Sequence, residues 1–183
     1  MNTSHTLVST TADYAHAPAA GDEAHATTTG EYARATTTGD YSRASTAGYY
    51  AHATTAGNSS NAFTAGDFSN AVTAGDYAYA TTTGNDAHAT TAGDYAHETT
   101  TGAYAHAATT GRRSDASVSG ENAIAVAVGY NSYARAANGG FIVLAQYDGD
   151  TVVAVKTAQV GKDGIKPDTW YKLSPTGEFV EAE

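Results

Sequence analysis

The sequence predicts an all-β fold: a parallel β-solenoid of nine-residue repeats, about two repeats per coil, with a small antiparallel β cap at the C-terminus. Three observations lead to this prediction. Glycine recurs every nine residues from Gly21 to Gly129, 13 times in all. Between the glycines, small residues alternate with variable ones, which is the two-residue period of a β-strand. Glycine and threonine at this density also oppose an α-helix.

The positions of the repeat predict which side chains point inwards. The consensus is Gly-Asp-Tyr-Ala-His-Ala-Thr-Thr-Thr, and the unit that begins at Gly93 departs from it only at Glu98. The fourth position is Ala or Ser, the sixth is otherwise Ala, and the eighth is mostly Thr. We expect these three positions to line the interior. Glycine supplies the tight corner, and Asp at the second position suits an Asx turn.

The number of repeats sets the expected length of the solenoid. Residues 12–137 hold 14 repeats, which make seven coils of 18 residues around a thin interior of Ala, Ser and Thr. One repeat per coil is the alternative, and it is less favoured because it leaves almost no interior. In both arrangements, hydrogen-bonded ladders between coils satisfy the backbone groups.

The two ends of the chain depart from the repeat. The predicted solenoid domain covers residues 1–137, with a degenerate N-terminal cap at 1–11 where Thr3–Thr11 is an imperfect copy. Residues 138–183 are predicted to form a small β-hairpin domain. The paired segments are Phe141–Tyr147 with Thr151–Val160, and Thr169–Leu173 with Glu178–Val180. This tail contains most of the large apolar residues, so we expect it to cover the open end of the solenoid.

Composition excludes several classes of protein. The 183 residues include 19 acidic and 9 basic side chains, a net charge of −10, and no cysteine. The acidic balance disfavours direct binding to nucleic acid, which uses Lys and Arg. The absence of cysteine excludes disulfides and thiolate chemistry. The sequence contains no run of 18 apolar residues, so it predicts no membrane-spanning helix. The N-terminus lacks the pattern of a signal peptide.

Two resemblances suggest a source. Residues 117–136, Ser-Val-Ser-Gly-Glu-Asn-Ala-Ile-Ala-Val-Ala-Val-Gly-Tyr-Asn-Ser-Tyr-Ala-Arg-Ala, resemble the head repeats of trimeric autotransporter adhesins. That resemblance implies a left-handed parallel β-roll. The whole layout is similar to uncharacterised phage and prophage proteins with glycine-spaced nonapeptides, and the matching tail segment is Gly161–Leu173. This second resemblance implies a phage source, with the host cytoplasm as the expected location and the virion as the alternative.

The histidines are the first candidates for chemistry. Six of the seven occupy the fifth position of the repeat: His16, His25, His52, His88, His97 and His106. His88 and His106 would lie on adjacent coils, close enough to share a metal ion. The same position also accepts Arg, Asn and Tyr, which is typical of an outward ladder. The chain has no catalytic or phosphate-binding motif. We therefore expect no enzyme activity, no metal and no cofactor.

Two further patterns have alternative interpretations. The Gly-Asp corners resemble calcium-binding nonapeptide rolls but lack their additional glycines and Asp, so a solvated Asx turn is favoured. Thr27-x-Thr29, Thr81-x-Thr83 and Thr99-x-Thr101 form an ice-binding pattern, which is interrupted at Ser45/Ala47, Phe63/Ala65 and Ser117/Ser119. Threonine is also a common residue in strands.

The third position supplies the predicted binding surface. On alternate repeats it is aromatic, and acidic residues precede it, so both should line one edge of the solenoid. The predicted partner-binding residues are Tyr14, Tyr32, Tyr50, Phe68 and Tyr104, together with Asp13, Glu31 and Asp67. Exposed tyrosines are enriched at protein interfaces. The alternative is that the rings stack only to hold the corner.

Together these observations predict a non-enzymatic interaction protein that offers a rigid, acidic, Tyr-lined surface to a protein partner. Acidity and the phage-like layout favour a nucleic-acid-binding complex of host defence as that partner, in an anti-CRISPR-like role. The alternatives are a structural protein of a virion or adhesin head, which would form a homo-oligomer, and an ice-binding protein.

Overall fold

A computed structural model describes residues 6–182 and confirms the predicted fold class. The first residues of the predicted N-terminal cap, 1–5, lie outside the described residues. The described chain consists of strands, turns and bends. Its strands are β1 Leu7–Thr11, β2 His16–Ala20, β3 His25–Thr29, β4 Arg34–Thr38, β5 Arg43–Ala47, β6 His52–Ala56, β7 Asn61–Ala65, β8 Asn70–Ala74, β9 Tyr79–Thr83, β10 His88–Ala92, β11 His97–Thr101, β12 His106–Thr109, β13 Asp115–Val118, β14 Ile124–Ala127, β15 Tyr133–Ala136, β16 Phe141–Asp148, β17 Thr151–Gln159, β18 Tyr171–Leu173 and β19 Phe179–Glu181.

Two repeats form one coil, as the sequence predicts. From β1 to β13, each strand pairs in parallel with the strand 18 residues further on, so that His25 lies beside Arg43 and Ala26 beside Ala44. Odd-numbered strands from β1 to β15 form one sheet, and even-numbered strands from β2 to β16 form the other. These sixteen strands make eight coils. The sequence predicts seven coils over 12–137, and β1 and β16 supply the additional one.

The interior is as thin as predicted. The fourth, sixth and eighth residues of the repeats are buried, apart from the half-buried Ala15, and the fifth, seventh and ninth residues are exposed or half-buried over most of the stack. Ala51, Ala53 and Thr55 illustrate one repeat, with each residue at most 1% exposed. Small side chains bury little apolar area each, so the many hydrogen bonds between coils complete the stabilisation.

The repeat glycines bring successive coils into contact. Gly30 has φ of 144°, and a Cβ there would overlap the carbonyl oxygen of Ala12 in the preceding coil. At each later repeat glycine, up to Gly129, a Cβ would likewise overlap the carbonyl oxygen of the glycine 18 residues earlier. The third residue of the repeat also turns the chain, because it is left-handed in all 14 repeats from Tyr14 to Asn131, with φ from 52° to 60°. A bulky residue rarely adopts this conformation.

The C-terminal strands close one end of the solenoid. β16 is parallel to β14 and antiparallel to β17, so it is at once the last strand of the stack and the first strand of the cap. β18 is antiparallel to β15 and to β19. Ile142 and Leu144 fill the end of the interior and join a cluster with Val118, Val160 and Tyr171. These large side chains replace the Ala and Thr of the coils above.

Other contacts hold the cap in place. The guanidinium of Arg135 lies 4.6 Å from the ring centroid of Trp170, in a cation–π contact. The hydroxyl of Tyr147 donates a hydrogen bond of 2.7 Å to the carbonyl oxygen of Val128. No helix long and apolar enough to cross a membrane occurs in residues 6–182.

Replacement of Gly66 by Ala should destabilise the fold strongly, because the new Cβ would overlap the carbonyl oxygen of Gly48. Gly21→Ala is the matched control. Gly21 also has a positive φ, of 111°, but no atom lies within 4 Å of its Cβ position. We expect a loss of at least ~2 kcal/mol for Gly66→Ala and about 1 kcal/mol for Gly21→Ala, measured by urea unfolding. Equal losses would contradict the close contact between coils.

Candidate functional site

The corners of the coils lie along two long edges of the solenoid. We call the first edge the Tyr14 edge; its second- and third-position residues are Asp13, Tyr14, Glu31, Tyr32, Tyr49, Tyr50, Asp67, Phe68, Asn85, Asp86, Ala103, Tyr104, Glu121 and Asn122. We call the other the Tyr41 edge; the corresponding residues are Asp22, Glu23, Asp40, Tyr41, Asn58, Ser59, Asp76, Tyr77, Asp94, Tyr95, Arg112, Arg113, Tyr130 and Asn131. All eight predicted partner-binding residues belong to the Tyr14 edge.

Four of the predicted aromatic residues form one continuous stack. Tyr14, Tyr32, Tyr50 and Phe68 lie with neighbouring ring centroids 5.0, 5.1 and 5.1 Å apart. The ring planes differ by 4° to 23°. The spacing follows from the pitch of the coils, since each ring comes from the same position of successive coils. The left-handed backbone of the third position therefore holds four rings in register.

A fifth ring widens this stack and was absent from the sequence-based prediction. Tyr49, at the second position of its repeat, lies edge-on to Tyr50 at 4.6 Å and to Phe68 at 5.3 Å. It occupies the position that Asp takes in six of the 14 repeats. The outer surface stays accessible, with Tyr14 75%, Tyr32 41% and Tyr49 42% exposed. The Tyr-Tyr pair at 49–50 is the sequence signal that could have indicated it.

The predicted residue Tyr104 stands apart from the stack. It is exposed on the same edge, two coils beyond Phe68, and Asp86 holds the intervening third position. The stack therefore spans the first four corners of the Tyr14 edge, and Tyr104 is not in ring contact with it.

The predicted carboxylates lie beside the rings, and two of them bind backbone. Oδ1 of Asp13 accepts the N–H of Glu31 at 2.9 Å, and Oδ1 of Asp67 accepts the N–H of Asn85 at 2.8 Å. These hydrogen bonds run from coil to coil, whereas the sequence predicted an Asx turn within one corner. One oxygen of each of these two carboxylates thus accepts a hydrogen bond from the next coil. The backbone of the same corners is also bonded between coils, as in the 2.8 Å bond from Tyr14 N–H to the carbonyl oxygen of Glu31.

The Tyr41 edge also combines acidic and aromatic side chains, but in a different arrangement that the sequence did not predict. Its Asp and Asn side chains form five successive coil-to-coil hydrogen bonds of 2.8 to 3.1 Å; the acceptors are Asp22, Asp40, Asn58, Asp76 and Asp94. Its rings stack once, Tyr77 on Tyr95 at 5.0 Å. Arg113 then extends over Tyr95 and donates a hydrogen bond of 3.1 Å to its hydroxyl. The Tyr41 edge is thus a carboxylate ladder, and the Tyr14 edge is an aromatic stack.

Charge is unevenly distributed along the rod. Residues 12–110 contain ten acidic and two basic side chains, and three of the five arginines follow at 112, 113 and 135. The stack of Tyr14, Tyr32, Tyr50 and Phe68 therefore lies in the most acidic part of the solenoid. A surface of this sign attracts basic partners and repels nucleic acid.

The predicted histidine ladder is present on the outer faces of the sheets. The rings of His88 and His106 stack at 4.9 Å. Partial burial, followed by the charge of His88, lowers the pKa of His106. Burial, followed by the charge of Arg34, lowers the pKa of His52. In residues 6–182 no group of three His, Cys, Asp or Glu side chains is arranged to hold a metal ion.

The threonine pattern forms only a small array. Thr81 and Thr83 on β9 lie beside Thr99 and Thr101 on β11, all on the outer face of one sheet. β7 contributes Phe63 and Ala65 at the next positions, so the array ends there. On this face the array therefore consists of four threonines on two strands.

Glu98 is the buried charge-bearing residue of the interior. Its side chain is 1% exposed between Ala80 and Ala116 of the neighbouring coils, and it accepts a hydrogen bond from the Thr91 hydroxyl. Burial raises the pKa of Glu98 to about 8, against the opposing effect of the Thr91 hydrogen bond. The carboxyl group is therefore mainly protonated at neutral pH and does not add to the acidic surface.

Comparison of the sequence with protein-family models, of the chain with curated proteins, and of the fold with solved structures gave no match. The function must therefore be argued from the two edges themselves.

The buried carboxyl group of Glu98 should make the fold less stable as pH rises. Its pKa is higher in the fold, about 8, than its ordinary value of 4.5. Between these values the folded chain keeps a proton that the unfolded chain loses, so the free energy of unfolding falls by up to ~1.4 kcal/mol per pH unit. We expect Glu98→Gln to remove this slope. Urea unfolding of the natural chain and of the variant from pH 4 to 9 gives the difference between their free energies of unfolding. The histidine titrations are common to both proteins and cancel in this difference. Parallel curves would contradict the assignment.

Proposed function

We propose that this protein is a non-enzymatic interaction protein, encoded by a phage, that binds a basic face of a protein partner through the Tyr14 edge. The partner we propose is a nucleic-acid-binding complex of host defence, in the host cytoplasm, and the effect is anti-CRISPR-like inhibition. The observation that carries the proposal is the exposed stack of Tyr14, Tyr32, Tyr50 and Phe68, with Tyr49 against it.

The aromatic rings of the Tyr14 edge are preorganised for binding. The rings are attached to corners whose backbone is hydrogen-bonded to the coils on either side, so little conformational entropy is lost when a partner packs against them. Tyrosine offers a large amphipathic contact surface with few rotatable bonds. Four tyrosine rings and the ring of Phe68 together form the kind of cluster that dominates binding energy at interfaces.

Charge then favours one class of partner. Asp13, Glu31 and Asp67 flank the rings. The coil-to-coil hydrogen bonds of Asp13 and Asp67 use Oδ1, so the second carboxylate oxygen of each is available to a partner. Arginine and lysine can pair with these oxygens and can also contact aromatic rings. A groove that binds the phosphates of nucleic acid is rich in both residues. The Tyr14 edge would occupy such a groove in place of the nucleic acid.

The double variant Tyr32→Ala/Tyr50→Ala tests this surface. It should leave the coils folded, because both rings lie outside the interior, and should weaken partner binding by ~10- to 100-fold. Tyr77→Ala/Tyr95→Ala is the matched control, since it removes two stacked rings from the third position of the Tyr41 edge. We would measure capture of an RNA-guided defence complex from a nuclease-treated bacterial lysate, then inhibition of target cleavage by that complex.

The two edges make the outcomes distinct. Loss of capture and inhibition only in the Tyr32/Tyr50 variant would support the proposal, and binding should weaken with added salt. Equal behaviour of the two variants would assign the rings a structural role. A protein that captures no complex and forms a stable trimer would instead favour the structural virion or adhesin-head function.

A further inference from the structure

The solenoid has one long unprotected sheet edge, formed by β17. Among the four edge strands of the described chain, β1 and β2 have five residues, β19 has three and β17 has nine. β2 contains Pro18, a residue that hinders further strand pairing. β17 contains no proline and one charged residue, Lys156, and its Val152, Val153 and Val155 are about half exposed. An exposed apolar edge strand is a ready site for pairing with another strand.

The outer sheet face next to this edge is apolar as well. Ile142 and Leu144 of β16 point into the core, so Phe141, Val143 and Ala145 point outwards. Pairing with the neighbouring strands continues this face, through Ile124 and Val126 on β14 and through Val155 on β17. The corresponding face elsewhere on this sheet carries His16, Arg34 and His52. A charge-free patch thus ends at the free edge.

The sequence of β17 is suited to pairing with itself. Val155 is the central residue of Thr151–Gln159, so an antiparallel pair centred there would include all nine residues of both strands. In that register Val155 faces Val155, Val153 faces Thr157 and Lys156 faces Ala154, with no like charges opposed. Lys156 is the only charged residue of the strand, so this register brings no carboxylate and no second ammonium group directly opposite it.

Charge argues for a second copy as the occupant. The chain is strongly acidic, with a net charge of −10, and two copies repel one another over most of their surfaces. β17 itself carries no carboxylate, and its pairing with itself places the one charged residue, Lys156, opposite Ala154. A basic partner would find no acidic residue on this patch. A second copy presents a strand of the same length whose backbone groups and apolar side chains match those of β17, with no like charges opposed.

We propose that two copies of this chain associate through antiparallel pairing of β17 with β17, symmetric about Val155. The pairing joins the even-numbered sheets of the two copies, and the apolar face becomes continuous across the two-fold axis. Val155 of both copies lies at its centre, and Ala145 and Val143 of each β16 lie beside Val155 and Thr157. This interface uses residues remote in sequence from the Tyr14 edge and does not depend on the proposed function.

Single cysteines provide the test, because the natural chain contains none. Val155→Cys places two thiols on the proposed two-fold axis, and Val72→Cys is the matched control, an exposed valine on β8 in the middle of the rod. Oxidation, or a short bis-maleimide cross-linker, should convert most of the Val155→Cys full-length chain to a covalent dimer. The Val72→Cys chain should remain mainly uncrosslinked under the same conditions.

Light scattering of the unmodified protein over a concentration series gives the second readout. We expect a reversible dimer, and Val155→Lys should raise its dissociation constant by ~10-fold or more, because like charges would then face each other. Val72→Lys should leave the dissociation constant unchanged. A monomer at all concentrations, a trimer, or equal cross-linking at positions 155 and 72 would each overturn the proposal.

Discussion

The contact between the glycines of successive coils is the constraint on which this structure depends. At Gly66 there is no room for a Cβ, because the carbonyl oxygen of Gly48 occupies that place. The interior between the two sheets is thin and is filled by Ala, Ser and Thr, apart from Glu98 and the larger side chains at the C-terminal end. The close approach of successive coils brings each corner within hydrogen-bond distance of the next. Stability therefore comes from a long series of small, similar contacts, as in other repeat proteins.

The same constraint organises the surface. Because two repeats complete a coil, residues 18 apart become neighbours and residues nine apart lie on opposite sides. A single sequence position, the third of the repeat, thus produces two different edges. Tyr14, Tyr32, Tyr50 and Phe68 stack on one edge, whereas the other combines Tyr77 and Tyr95 with an unbroken run of Asp and Asn acceptors. Function is proposed for one edge only, and the other supplies its control.

Much of this architecture could be read from the spacing of residues. Regular glycines and alternating Ala predict the strands, the two-repeat coil and the inward positions, because each depends on local geometry. The Asp13 and Asp76 hydrogen bonds were not predictable in the same way, since their partners lie in the next coil. The left-handed backbone at Tyr14 also contradicts the usual preference of a bulky residue. Glu98 was visible as an exception, but its protonated state depends on burial between Ala80 and Ala116.

The central claim is that an 18-residue coil sorts the side chains onto two faces and two edges. Pyrene labels on introduced cysteines test it most directly, since pyrene pairs in close contact emit excimer fluorescence. Thr36 and Thr54 are neighbours on β4 and β6, whereas Ser45 lies nine residues from each on the other sheet. Labels at 36 and 54 should give strong excimer emission within one chain, and labels at 36 and 45 should give little. Equal emission from the two pairs would contradict the two-repeat coil.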